Sequence, residues 1–415
     1  MTFAPIMFPA ANRTVFLGPE NVASGTAATA FTACPVAGLT PSDKQAPLED
    51  KSLRGAQSEV FGLQFGPRWT ELAIPESPVY LDFIGMLLKN ICGDYYSSGT
   101  AGSPTWTTSA PLTPGAGPIP VATGSSAVAG TYVQIDSSTN SEVVKVGTGS
   151  TTTSIVVDAT TPVRFSHLTS IAVVTVVAPF THNFSQLCPG SSTGVTDGQP
   201  PTHTLIDKTY IPGSGNNNAR QYTFLCMEAI DFTGKNSGWF SWSGKAKSLF
   251  TAYAASPPVA SFSTAKPQPS WRSTVTVGGV ARNEIEEWSL HLKRGVDPEP
   301  TADGSQDPYT FARGLFGADW TLDYLAIDET GLLNYINNSQ PTLAWAITNG
   351  LTGANLLSMT ISAQLGAYKG SDIDIKRTLF GYKASGSCIA NTSNAGNSLG
   401  YSPVAITLSN AVATY

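Results

Sequence analysis

Two stretches of this chain carry apolar residues at helical spacing. In the first, Tyr80, Phe83, Ile84, Leu87, Leu88 and Ile91 make a continuous stripe. Ser77 is placed to cap it, Pro78 suits a first helical position, and Gly93 supplies a left-handed stop. The pattern predicts a helix over 77–93. Leu81 and Met86 widen its apolar surface, so it needs cover on more than one face, from its own sheet and from a neighbouring subunit. The second stripe is narrower: Leu332, Leu333 and Ile336, with Asp328 as the cap and Glu329 in the first turn.

Elsewhere the period is two. Trp288, Leu290 and Leu292 alternate with Ser289, His291 and Lys293, which predicts a strand with one buried face. Trp271 to Val277, the pair Gly278-Gly279 and Val280 onward read as a hairpin. Short runs at Tyr132–Ile135, Glu142–Val146 and Ser154–Val157 predict a small all-β unit within 129–180. Residues 94–128 read as a Gly/Ser/Thr/Pro linker, and 1–60 as extended and irregular. The most charged stretch, 42–55, predicts an exposed loop carrying Asp43, Lys44, Leu48, Glu49, Asp50, Lys51 and Arg54.

An internal echo organises these elements. Phe65-Gly66-Pro67-Arg68-Trp69-Thr70 returns as Phe316-Gly317-Ala318-Asp319-Trp320-Thr321, at an offset of 251 (316 − 65). Each copy is followed by an apolar helix and then a Gln-Pro turn, at Gln199-Pro200 and at Gln340-Pro341. The reading is a duplicated domain: 1–120 with 181–270 as the first copy, 121–180 as an inserted β-rich module, and 271–415 as the second.

Composition fits a β-rich chain. Charged residues are 13%, about half the usual share, while Gly numbers 39 and Pro 29. A surface with few charges can be desolvated against other protein. Net charge is −6 and no Lys/Arg cluster tracks one face, which disfavours tight nucleic-acid binding. Five widely spaced cysteines suggest buried thiols rather than a disulfide framework or a zinc site. The N-terminus lacks a charged and apolar leader, and the longest apolar run, Ile171 to Phe180, is too short to span a bilayer. The expectation is a soluble chain made in a cytoplasm.

The sequence offers little for catalysis. Gly190–Gly194 and Gly396–Gly400 match G-x-S-x-G, but no acid or histidine follows Ser398. The four histidines, His167, His182, His203 and His291, have no metal-ligand spacing. No catalytic residue, metal site or cofactor is expected.

Several features together resemble the major tail tube proteins of long-tailed, non-contractile bacteriophages. They are Glu20 followed by Gly25-Thr26-Ala27, the charged loop, the Leu-rich helix ending in Gly93, and Phe180-Thr181-His182-Asn183-Phe184. Gln199-Pro200-Pro201-Thr202-His203-Thr204-Leu205 and Phe240-Ser241-Trp242-Ser243-Gly244-Lys245 follow in order. The inserted unit, with Val133-Gln134-Ile135-Asp136 and Arg164-Phe165-Ser166-His167, is similar to a small β module of some phage tail proteins. The resemblance implies a mainly β fold: a duplicated β-sandwich, each copy flanked by an α-helix, closing into a barrel ring on oligomerisation. Rings would stack into the hollow tail tube that conducts genomic DNA from capsid to host cell. Three chains per ring would give pseudo-sixfold symmetry; six is the alternative. Implied partners are further copies of the chain, the tape measure protein, the tail terminator and distal tail proteins, with DNA passing unbound and no membrane involved. The location implied is the virion tail, after synthesis in the host cytoplasm. The loop Asp43–Arg54 is expected to bridge rings, and Tyr80, Phe83, Ile84, Leu87, Leu88 and Ile91 to pack the helix against sheet and neighbour. A secreted or surface β-sandwich adhesin or carbohydrate-binding module, using tryptophan platforms, is the alternative reading.

Overall fold

The computed structural model describes residues 13–20, 24–52, 59–115, 117–122, 126–137, 140–188, 199–209, 218–254, 258–259, 261–376 and 379–415. The protein is mainly β, with two large antiparallel sheets packed as a sandwich and two short helices. Eight strands form the spine of the larger sheet: β1 Thr40–Asp50, β2 Gly62–Pro78, β3 Asn218–Lys235, β4 Ser241–Ser248, β5 Ile285–Glu299, β6 Thr310–Leu325, β7 Gly366–Lys376 and β8 Leu379–Cys388. Their spatial order is β1-β2-β4-β3-β5-β6-β8-β7, so one four-strand order is given twice. The halves join where β3 pairs with β5, from Ala229↔Lys293 to Lys235↔Glu287. The first part of β3 also pairs with His203–Thr209, which pairs in turn with Arg13–Pro19.

The second sheet runs Ser273–Val277, Leu343–Thr348, Ser358–Ala363, Ala405–Asn410, Ala172–Gln186, Gly93–Thr107. Between the sheets lies one core. Leu290, Leu292, Trp320 and Leu322 enter it from the first sheet, and Trp345, Ile361, Ile406 and Leu408 from the second. Each such side chain contributes about 1.5–3 kcal/mol by leaving water. Among the described residues neither sheet closes into a barrel.

Helix α1 spans Gly85–Cys92 and stops at Gly93, whose φ of +88° only glycine adopts readily. Its beginning differs from the sequence expectation. β2 continues to Pro78, and the Ser77 hydroxyl donates to Pro75 O and accepts from the Ala37 N–H, so Ser77 caps no helix. Helix α2 spans Thr330–Ile336, with Asp328 Oδ1 accepting the Thr330 N–H at 2.9 Å.

Two other expectations change. Residues 93–107 form a strand, paired from Gly93↔Gln186 to Thr107↔Ala172, rather than a linker. Small residues gave it no alternation to read, and the partner strand decides its conformation. The charged loop is a strand through Asp50, because ten residues of β1 pair with β2 despite Pro41 and Pro47. Prolines are tolerated there because β1 is an edge strand. The Gly278-Gly279 hairpin is present, both glycines having positive φ (62° and 79°).

The region 106–173 builds its own core of Leu112, Ile119, Ile135, Val144, Ile155 and Val163, with Trp106 and Val173 from the extended ends of the flanking strands, so the expected bound at 121 falls inside this core. Its buried Glu142 accepts the Arg164 and Phe165 N–H groups and pairs with His167 Nε2 at 2.8 Å.

The six-residue echo falls on equivalent strands, β2 and β6, but not in equivalent register. Trp320 lies in the main core, whereas Trp69 packs with Phe224, Cys226, Val296 and Phe311. Leu72 and Ile74 face the main core from β2 as Leu322 and Tyr324 do from β6, while the offset of 251 would match Leu72 to Asp323 (72 + 251). An odd slip of one residue reverses the faces of a strand.

Candidate assembly surfaces

Several residues singled out for chemistry are tied into the fold by buried hydrogen bonds. Ser398 is buried and donates both its N–H and its hydroxyl to Asp94 Oδ2 at 2.7 Å, while its Oγ accepts the Cys188 N–H. The other G-x-S-x-G match reaches into 189–198, outside the described residues. His182 is held between Tyr95 OH and Val412 O, and His203 by Asn90. All five cysteines are free, and Cys34, Cys92, Cys226 and Cys388 are buried. Among the described residues no His/Cys/Asp/Glu group is placed to hold a metal, and no helix is long and apolar enough to cross a membrane. The carboxylate of Glu20 closes the N-terminal segment on the sheet: it accepts the Gly25 and Phe224 N–H groups and the Thr202 and Thr204 hydroxyls.

Three surfaces stand out. The first is the hairpin of β1 and β2. At its base Asp43 Oδ1 accepts the Thr70 and Thr251 hydroxyls at 2.6 Å each, and Lys44 pairs with Glu71. Beyond Pro47 the hairpin becomes an arm. Leu48, Leu63 and Phe65 are more than half exposed on it, and Lys51 pairs with Glu49 and Glu59. Ser52 N–H turns back onto Asp50 Oδ1. Arg54 lies outside the described residues. Arg68 and Gln306 brace the arm from the side: Arg68 pairs with Asp307 at 2.7 Å, and the Gln306 side chain donates to Phe65 O. The charges were legible in the sequence; exposure of Leu63 and Phe65 was not, because nothing in the chain marks where the hairpin leaves its sheet.

The second surface is the opposite edge. Among the described residues β1 pairs only with β2, and β7 only with β8, so both edges of the eight-strand order are open. Beside β7, exposed Ile327, Leu333 and Ile336 of the α2 region lie with Ile373 and Phe380, each 46–73% exposed. Contiguous exposed apolar surface of this kind marks interaction sites. Helix α1 behaves differently: Phe83, Ile84, Leu87, Leu88 and Ile91 are buried and Tyr80 partly buried, all in the main core of the same chain.

The third is the face of the eight-strand order turned away from the core. It carries short polar and charged side chains, with cations matched to carboxylates: Lys235–Glu287, Lys293–Asp319, Lys369–Asp319 and His291–Asp231. The lysines and Ser387 hold the Asp319 carboxylate down to about 2, against the opposing effect of burial. Hydrogen bonding to Asp231 raises the His291 imidazole.

A buried feature ties the two halves together. Arg294 of β5 reaches Cys92 O, at the C-terminal end of α1 (3.4 Å), and its guanidinium lies over the Phe316 ring. A cation at this helix end meets the negative pole of the peptide dipoles. Burial depresses Arg294 to about 10. Arg313, also depressed by burial, donates to Pro201 O. Neither arginine was singled out by sequence pattern.

Compared with known protein-family models and with curated proteins, the chain matches none.

Proposed function

We propose that this chain is the building block of a hollow tube, with two tube-type units in each polypeptide, and that three chains close one ring. The observation that carries this reading is the strand order β1-β2-β4-β3 repeated as β5-β6-β8-β7, with β3 already paired to β5 and both outer edges open among the described residues. The internal junction is a template for the external one. β7 stands in its half where β3 stands in the other, and β1 stands where β5 does. Pairing β7 of one chain with β1 of the next repeats a contact the chain makes with itself, and it is heterologous, so it generates rings or filaments. Three chains of eight strands would make a closed barrel about 50 Å across at its backbone, from ~4.8 Å strand spacing and a ~40° tilt. That passes a DNA duplex. A wall on which most cations stand beside carboxylates suits passage, because few of them, Lys245 and Lys383 among the described residues, are left to meet phosphates.

The role that fits is the tail-tube role implied by the sequence resemblance: a virion structural protein whose stacked rings conduct the genome. Electron microscopy of the purified chain tests it. The expected result is tubes whose cross-section counts three chains per ring. Dispersed monomers at high concentration would remove the reading, and six chains per ring would remove the pairing of β7 with β1 in its three-chain form.

A further inference from the structure

Stacking needs two different surfaces at the two ends of a ring. The arm of β1 and β2 supplies one. We infer that its socket on the next copy is the platform formed by Trp239 and Trp271 at the other end of the same sheet. The inference rests on the stacking reading above and names the surfaces it uses.

Of the eight tryptophans, only Trp239 and Trp271 are more than half exposed, at 53% and 66%. Their segments are tied together: Trp239 bridges to Pro269, and the Ser270 N–H donates to Gly238 O at 3.0 Å. The platform sits at the far end of β2 from the arm, because Ser241 pairs with Pro78. From Phe65 to Pro78 is 13 residues (78 − 65), about 40 Å of strand. With strands tilted ~40° to the tube axis, a ring displaced along that axis and turned about it brings the arm of one copy toward the platform of another.

The chemistry matches. The arm offers Leu48, Leu63 and Phe65, and its stretch 48–65 holds Glu49, Asp50 and Glu59 against Lys51 and Arg54. The platform offers two indoles with Lys266 and Arg272 near them in the chain; Arg282 is already paired with Glu284 and Asp328, and Glu286 lines the same hollow as Trp271. Lys266 is exposed beside it. The Arg272 guanidinium lies 5.2 Å from the Trp271 ring centroid and donates to Gln268 Oε1 and Asn349 O. Aromatic and arginine side chains are the usual anchors of protein interfaces, and an acidic, apolar arm is their complement.

The test is a double variant, Gln64→Cys with Lys266→Cys, two exposed positions that flank the proposed anchors, assembled and oxidised, alongside each single variant. Interchain disulfide ladders from the double variant alone are expected. Trp271→Ser provides the second arm: circular dichroism and thermal unfolding unchanged, tube length reduced at least tenfold. Full-length tubes from Trp271→Ser, with no ladders from the double variant, would overturn the socket and leave stacking intact. Absence of tubes from the unmodified chain would overturn both.

Discussion

The side-chain amide of Asn90 donates to Nδ1 of His203 at 2.8 Å, deep in the core. Nδ1 is therefore the acceptor, and the proton of this neutral imidazole sits on Nε2, which has no partner. Asn90 also donates to Leu225 O and accepts the Met227 N–H, so one amide fastens α1 to β3. Replacing it with alanine leaves three buried polar groups unsatisfied. Asn90→Ala should destabilise the fold by about 2–4 kcal/mol, read as a lower urea midpoint at unchanged slope. A change under 0.5 kcal/mol would show that the amide is dispensable.

Acid should destabilise the protein through two buried histidines. Burial depresses His182 to about 4 and His203 to about 3, from 6.5. Their folded values lie below the unfolded one, so the unfolded chain takes up protons first as pH falls. The contribution is fully present above 6.5 and is lost as pH drops through 4 toward 3. The slope approaches about 1.4 kcal/mol per pH unit for each histidine. His291 opposes this: raised by Asp231, it contributes below 6.5 and loses that contribution as pH rises through its folded value. Urea unfolding at pH 7.5, 6 and 5 should show falling stability. A rise on acidification would place the titration elsewhere.

Removing residues 48–53 should leave a folded, monodisperse protein that does not form tubes. The removed stretch contributes Leu48, Glu49 and Lys51, which are exposed or ion-paired at the surface, and none of the main core. Normal tubes from this deletion would exclude the arm from stacking.

The open edge is tested separately. Ile373 and Phe380 are each 63% exposed beside β7. Ile373→Lys with Phe380→Lys should change stability by less than about 0.5 kcal/mol while preventing ring closure, seen as loss of ring mass in native mass spectrometry. Rings that survive both lysines would move the lateral contact to another surface.

What the sequence disclosed depended on whether a residue's neighbours in the chain are also its neighbours in space. The α1 stripe was legible because Ile84, Leu87, Leu88 and Ile91 share one turn-by-turn pattern, and Gly93 stops it by its own backbone. The alternation of Leu290 and Leu292 was legible for the same reason. The start of α1 was not, because Ser77 resembles a cap while its hydroxyl serves Ala37, forty positions away (77 − 37). Gly93–Thr107 and Thr40–Asp50 became strands through partners, Ala172–Gln186 and Gly62–Pro78, that no local window contains. The two Trp-Thr pairs pointed to equivalent strands, yet Trp69 and Trp320 face opposite ways, since similar letters carry no record of pleat. The open edge at β7 and the exposed platform at Trp239 and Trp271 are properties of topology alone.

The bond between β3 and β5 has a consequence for how such a tube would be made. Two units joined in one polypeptide meet at an effective concentration that dilution cannot lower, so half the seams around a ring form during folding of the monomer. Only the remaining seams respond to subunit supply, and only there can nucleation be delayed until the rest of the particle is ready.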